Sequence, residues 1–186
     1  MPLNRDAFEK LEKRVIETLK GETPLMEVPY YVCLYHPKDE FKILENFSNM
    51  VLRLKNKKFS AESISLAKLL VEIMDASGFL SSEIISKEEE IRKTLAGDLR
   101  RVLSTEIVKV LKKRLKDRPA NHCAVILRYG ALWPFVHLSH IFLSLNDCTQ
   151  CTLVVPYPSD IGSGYPLNEV SAEIVDYYRA ETVDLR

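Results

Sequence analysis

Three short runs in this chain are apolar at nearly every position: Tyr30-Tyr31-Val32-Cys33-Leu34-Tyr35, Cys123-Ala124-Val125-Ile126-Leu127 and Cys151-Thr152-Leu153-Val154-Val155. A strand with one wet face alternates apolar and polar residues. A run without alternation needs cover on both faces, which is the condition of a strand inside a parallel sheet. The segments between the runs carry apolar residues at helical spacing. Strand and helix in alternation predict an α/β fold: one three-layer domain over residues 1–186, with a mainly parallel sheet of about four to five strands flanked by helices.

The helices can be placed by their periodicity and their stops. Phe8, Leu11, Val15 and Leu19 mark an amphipathic helix within residues 1–21 that packs on the domain, with Asn4 as N-cap and Gly21 as the stop. After His36-Pro37, Phe41, Leu44, Phe47, Val51 and Leu54 continue a second helix, and Lys55 to Lys58 form a polar turn. Phe59 to Ser65 reads as a short strand. Leu66, Leu69, Leu70, Ile73 and Met74 predict a helix ending at Gly78. Ser86 with Glu89 has the spacing of a capping box, and Gly97-Asp98 predicts a break before the stripe Leu99, Val102, Leu103, Ile107, Val110, Leu111 and Leu115. Arg128-Tyr129-Gly130 leads into a helix carrying Leu132, Phe135, Val136, Ile141, Phe142 and Leu145. Val170 to Tyr178 predicts a short helix, and Tyr178 to Val183 a final edge strand.

Composition narrows the function classes. Lysine plus arginine and aspartate plus glutamate both number 26, so the chain is formally neutral. That balance argues against wholesale binding to nucleic acid or membrane and leaves room for a local patch. No apolar run approaches the roughly 20 residues that span a bilayer, and the start is charged, so the expected location is the cytoplasm, with no membrane partner. Four cysteines do not make a disulfide framework in a chain of this length. Cys33 and Cys123 read as reduced core residues.

Ligands of open α/β sheets bind beyond the carboxyl ends of the strands. Those ends bring His36, Lys38, Glu40, Arg128, Tyr129, Trp133, Tyr157 and Asp160 toward one candidate binding rim, a mixture suited to a small-molecule pocket or an interface hot spot. Arg128 directly follows a buried run, so an internal carboxylate such as Asp160 or Glu40 is its expected partner. Gly162-Ser163-Gly164 lacks the third glycine of a dinucleotide fingerprint and the lysine of a P-loop. Cys148 and Cys151, with His137 and His140, offer four zinc-ligand types at a spacing that matches no known zinc pattern, so no metal is expected. No nucleophile elbow, zincin motif or aspartate cluster appears, and neither catalytic residues nor a cofactor are predicted. Lys109, Lys112, Lys113, Arg114 and Lys116 are candidate nucleic-acid contacts, although a solvated helix face with cations at its C-terminus is the commoner meaning of such a run.

Several segments, in order, resemble a known family. Val32-Cys33-Leu34-Tyr35-His36-Pro37-Lys38-Asp39-Glu40 resembles the early strand and P-x-x-E element of the BrxB family, small components of BREX phage-defence systems. Arg128-Tyr129-Gly130-Ala131-Leu132-Trp133-Pro134-Phe135 resembles its R-hydrophobic-G-A-L-hydrophobic-P-F segment. Leu153-Val154-Val155-Pro156-Tyr157-Pro158 resembles its late strand, and Tyr177-Tyr178-Arg179-Ala180 falls where a closing Y-R element belongs. Family members usually have glycine after the late proline, where this chain has Ser159. The resemblance implies a cytoplasmic, non-catalytic defence component acting through protein contacts. The implied partner is the phosphatase-fold protein PglZ of the same system, together with other BREX components. Contact with DNA would then be indirect. A nucleotide or phosphate-ligand binder, or a nucleic-acid-binding regulatory domain, is the alternative reading.

Overall fold

The computed structural model describes residues 4–22, 30–146, 148–159 and 180–186. Helix α1 (Arg5–Leu19) is followed by strand β1 (Tyr30–Tyr35), a 3-10 turn (Pro37–Asp39) and α2 (Glu40–Asn56). Then come β2 (Ser60–Ser65), α3 (Leu66–Ala76), α4 (Ser82–Ser86), α5 (Glu88–Leu115) and β3 (His122–Leu127). A second 3-10 turn (Tyr129–Leu132), α6 (Leu138–Asn146), β4 (Thr152–Pro158) and β5 (Ala180–Asp184) complete the described order.

The five strands form one sheet in the order β2-β3-β4-β1-β5. Every pairing is parallel, with Ser60 opposite His122, Cys123 opposite Thr152, Tyr30 opposite Leu153 and Tyr30 opposite Ala180. The expectation of a mainly parallel sheet is met in full. Consecutive strand residues feed opposite faces, which is why the runs do not alternate. On one face Val32, Ala124, Ile126 and Val155 meet Leu69 of α3, Leu103, Ile107 and Leu111 of α5, and Phe142 of α6. On the other, Tyr31, Cys33, Cys123, Val125 and Val154 meet Leu11 and Val15 of α1 and Phe47 and Met50 of α2. Each Val, Leu, Ile, Phe or Met among them contributes about 1.5–3 kcal/mol on burial. Cys33 and Cys123 are free thiols in that second layer, and burial raises both well above the ordinary thiol range.

Local signals set the ends of the first helix. The Asn4 side chain accepts from the Ala7 amide at 3.1 Å, and Gly21 takes the left-handed conformation that ends α1 (φ 72°). The Asn4 amide also donates to the Leu185 carbonyl, tying α1 to the residue after β5.

Elsewhere tertiary packing overrides the local pattern. Phe41 is 81% exposed, because α2 turns Ile43, Phe47, Met50, Val51 and Leu54 inward instead. Ser86 is the last residue of α4 and donates its hydroxyl to the Glu83 carbonyl, so no capping box forms with Glu89. Ser81 caps α4 in its place. Helix α5 runs unbroken through Gly97. A helical glycine costs only about 1 kcal/mol relative to alanine, which the buried stripe further along outweighs. The helix expected after Arg128 begins later: a 3-10 turn and an extended Trp133 precede α6, as the residue before Pro134 is pushed out of helical space. Val170 to Tyr178 and the glycine loop lie outside the described residues. No helix among the described residues is long and apolar enough to cross a membrane.

Candidate functional site

Strands β1 and β4 are neighbours, yet β1 continues through α2 to β2 at one edge while β4 leads to β5 at the other. A crevice belongs at their carboxyl ends, where the chain diverges. There the Ser159 amide donates to the Tyr35 carbonyl at 2.7 Å and closes the two strand ends together. Arg186 forks onto Asp184 through Nε and Nη2, both at 2.8 Å, and its Nη1 donates to the Ser159 hydroxyl at 3.1 Å. These hydrogen bonds hold the Asp184 carboxyl below its ordinary range, with a smaller pull from His36.

The exit of β1 handles charge in the same self-contained way. Glu40 accepts a short hydrogen bond from the Tyr35 hydroxyl, and Lys42 pairs with the buried Asp39 at 3.3 Å. Pro37 supplies no N–H, and the carboxylates of Asp39 and Glu40 stand in the first turn, where the helix dipole is positive. An anion arriving at this turn meets negative charge already in place, which is the reverse of a phosphate cradle.

Of the predicted rim residues, Lys38, Arg128 and Trp133 are exposed, while His36 and Glu40 are half-buried. Tyr129 and Tyr157 are buried instead. Their rings stack with centroids 4.6 Å apart. The Tyr129 hydroxyl donates to the Val136 carbonyl and accepts from the Leu138 amide. They are the struts beneath the rim. Asp160 lies outside the described residues. Arg128 has no internal carboxylate among the described residues: its left-handed backbone (φ 60°) turns the side chain into solvent, so the desolvation that would demand a partner never arises. Five residues on, the Trp133 indole is 39% exposed and meets the His137 ring edge-on.

The opposite, amino edge holds a network the sequence did not announce. Glu62 in β2 accepts from Arg114 Nη2 at 2.6 Å and pairs with Arg118 at 3.0 Å. His122, nearly sealed from solvent, has Nδ1 2.7 Å from the Ser60 hydroxyl and Nε2 3.2 Å from Glu62 Oε1. Serine, histidine and acid in that order resemble a proton relay. Two arginines already pair with the acid, however, and burial holds the histidine below its ordinary range against the upward pull of Glu62, with the arginines adding a smaller downward push. The set joins β2, the start of β3 and the end of α5, as a structural anchor would. Arg114, a predicted nucleic-acid contact, is committed to it. The C-x-x-C and the two histidines do not gather either. The Cys148 thiol donates to carbonyls of α6, and the Cys151 amide is bonded to the Thr149 hydroxyl. Among the described residues no group of three or more His, Cys, Asp or Glu side chains could hold a metal ion.

The family model described as BREX protein BrxB matches residues 62–183, from β2 into β5. The chain belongs to the BrxB family. The BrxB match spans Arg128 and Trp133, both exposed, and both tyrosine struts. As a BrxB-family chain it is a component of a BREX defence system. No curated protein matches it. Among solved structures it is similar to a chain of "Structure of Drosophila ORC bound to AT-rich DNA and Cdc6", at 12% identity and a TM-score of 0.44. The overlap covers 97% of this chain and 29% of that one, a likeness too distant to bear on function.

Proposed function

We propose that this BrxB-family chain works as a non-catalytic docking component in the cytoplasm, and that its direct partner is the PglZ-type protein of the same BREX system. The observation that carries the reading is the Arg128–Trp133 segment. An arginine and a tryptophan are presented to solvent on a turn whose base is fixed by the stacked Tyr129 and Tyr157. Arginine and tryptophan are the residue types most enriched among interface hot spots, where truncation costs about 2 kcal/mol or more. A rigid turn loses little conformational freedom on binding, so more of the contact energy survives as affinity. The phosphate-ligand alternative loses support at this edge, because Asp39 and Glu40 fill the helix terminus that a phosphate would use.

Co-purification with the adjacent PglZ-type protein, followed by size-exclusion chromatography with light scattering, tests the proposal. A stoichiometric complex is expected, weakened about tenfold or more by Arg128→Ala and by Trp133→Ala. Two separate peaks for the unaltered proteins would remove the reading.

A further inference from the structure

The amino edge of the sheet carries charge that its own network does not absorb. In a parallel sheet each crossover helix ends where the next strand begins. Here α2 ends at Asn56, just before β2, and α5 ends at Leu115, just before β3. These helices cover opposite faces of the sheet. The pairing of β2 with β3, Ser60 against His122, brings both basic ends to the same edge of the sheet, from its two faces. Lys55, Lys57 and Lys58 arrive from one side and Lys112, Lys113 and Lys116 from the other, all exposed and without an ion pair among the described residues.

Segments 55–62 and 112–122 hold eight lysines and arginines against two acids, Glu62 and Asp117. Since the whole chain balances, the remainder carries the opposite excess. The negative ends of α2 and α5 amount to about half an elementary charge each, which is far too little to call for this many cations. Arg114 and Arg118 are spent on Glu62, and Lys109 pairs with Glu106 at 3.1 Å. The six lysines are therefore the ones available to a partner.

We propose that this edge, beside β2 and β3, is a docking surface for the phosphate backbone of duplex DNA. Charge complementarity selects a polyanion. Single strands are held by aromatic platforms on which bases stack. The exposed aromatics among the described residues, Phe41 and Trp133, follow the carboxyl ends of β1 and β3, and Phe59 beside the patch is half-buried with its ring packed against the core. Lysines without aromatics match a duplex touched along its backbone and independent of sequence. The surface is separate from the Arg128–Trp133 segment and does not depend on the docking proposal.

Fluorescence anisotropy with a labelled duplex of arbitrary sequence, and with one of its strands, tests this in the intact chain. Duplex binding is expected at about 50 mM salt, weakening about 100-fold by 200 mM if some four phosphates are neutralised. Lys57→Gln with Lys58→Gln, and Lys112→Gln with Lys113→Gln and Lys116→Gln, each lower affinity at least tenfold and flatten the salt slope by about 0.9 for every phosphate left without its lysine. Lys68→Gln with Lys87→Gln, removing exposed lysines elsewhere, leaves binding unchanged. Unchanged circular dichroism confirms that the variants fold. No duplex binding at about 50 mM salt overturns the proposal, as does binding indifferent to both lysine sets. Tighter binding of the single strand overturns the choice of duplex. Loss of the PglZ-type complex on neutralising these lysines, with DNA binding intact, reassigns the surface to an acidic protein.

Discussion

The two ends of this sheet treat charge in opposite ways. At the carboxyl end the acids are answered locally: Asp184 by Arg186, Asp39 by Lys42, Glu40 by the Tyr35 hydroxyl. Among the described residues, Lys38 and Phe41 stay exposed there, and Arg128 and the Trp133 indole are presented on a braced turn. At the amino end a half-buried acid, Glu62, pairs with two arginines and faces a buried histidine, while the lysines of segments 55–58 and 112–116 have no ion pair among the described residues. Parallel topology accounts for the contrast. Every crossover helix delivers its C-terminal end, where cations are stabilised, to the amino edge and its N-terminal end, where acids are stabilised, to the carboxyl edge. The sheet thus sorts charge between its two ends while the chain as a whole stays neutral.

That comparison can be broken most forcefully at the brace of the carboxyl end. Tyr129→Phe keeps the ring stacked on Tyr157 but leaves the buried Val136 carbonyl and Leu138 amide without the hydroxyl that serves both. A destabilisation of about 2 kcal/mol is expected, read as a lower urea midpoint at unchanged m-value. A loss under about 0.5 kcal/mol would show that the turn is held by packing alone.

Acid separates the two ends next. His122 titrates below 6.5 in the folded chain, so the unfolded chain takes up its proton first. The stability tied to a neutral His122 is complete above about pH 6.5 and is lost as pH falls below it, at up to 1.36 kcal/mol per pH unit. Asp184 lies below its ordinary 3.8, so its contribution persists above that value and goes only as pH falls on through its lower native range. The amino end should therefore loosen first. Melting temperature followed from pH 7.5 to 5 should fall in the parent chain and fall less in His122→Gln; parallel curves would place the acid-sensitive group elsewhere.

The smallest effect sharpens the comparison most. Arg128 holds a left-handed conformation that glycine adopts at no steric cost. Arg128→Gly should raise stability by about 0.5–1 kcal/mol in thermal unfolding while weakening the PglZ-type complex. A variant that loses stability instead would mean that the guanidinium serves the fold.

Sequence legibility followed the range of the interactions. The runs at Tyr30, Cys123 and Cys151 announced a doubly covered sheet, because burial on both faces writes itself into consecutive residues. The Ser86–Glu89 box and the break at Gly97 failed because both are local preferences worth about 1 kcal/mol, set against a helix whose second half is buried. At the site, Arg128 and Trp133 are exposed where the chain leaves β3. Tyr129 and Tyr157 are buried, a difference the sequence does not carry, since a tyrosine at a strand end reads the same whether its hydroxyl meets water or a backbone carbonyl. The amino edge is legible only in its α5 half, where Lys112, Lys113 and Lys116 stand out as candidate contacts, and the rest is hidden for a different reason. Lys58 and Lys112 stand more than fifty positions apart in the sequence, and only the pairing of β2 with β3 brings their segments to the same edge of the sheet. Glu62 and His122 could have signalled it, as the ionisable residues inside or at the mouth of two strands.

The position of β2 has one more consequence. It is a terminal strand of the sheet, and one row of its backbone N–H and C=O groups has no strand beside it among the described residues. Such a row is a template on which another chain can add a strand and begin to aggregate. Ser-Ala-Glu-Ser-Ile-Ser offers little apolar surface to an incoming strand, and the carboxylate at its centre is clamped to α5. The cluster that gathers positive charge at this end thereby also guards an open edge against self-association.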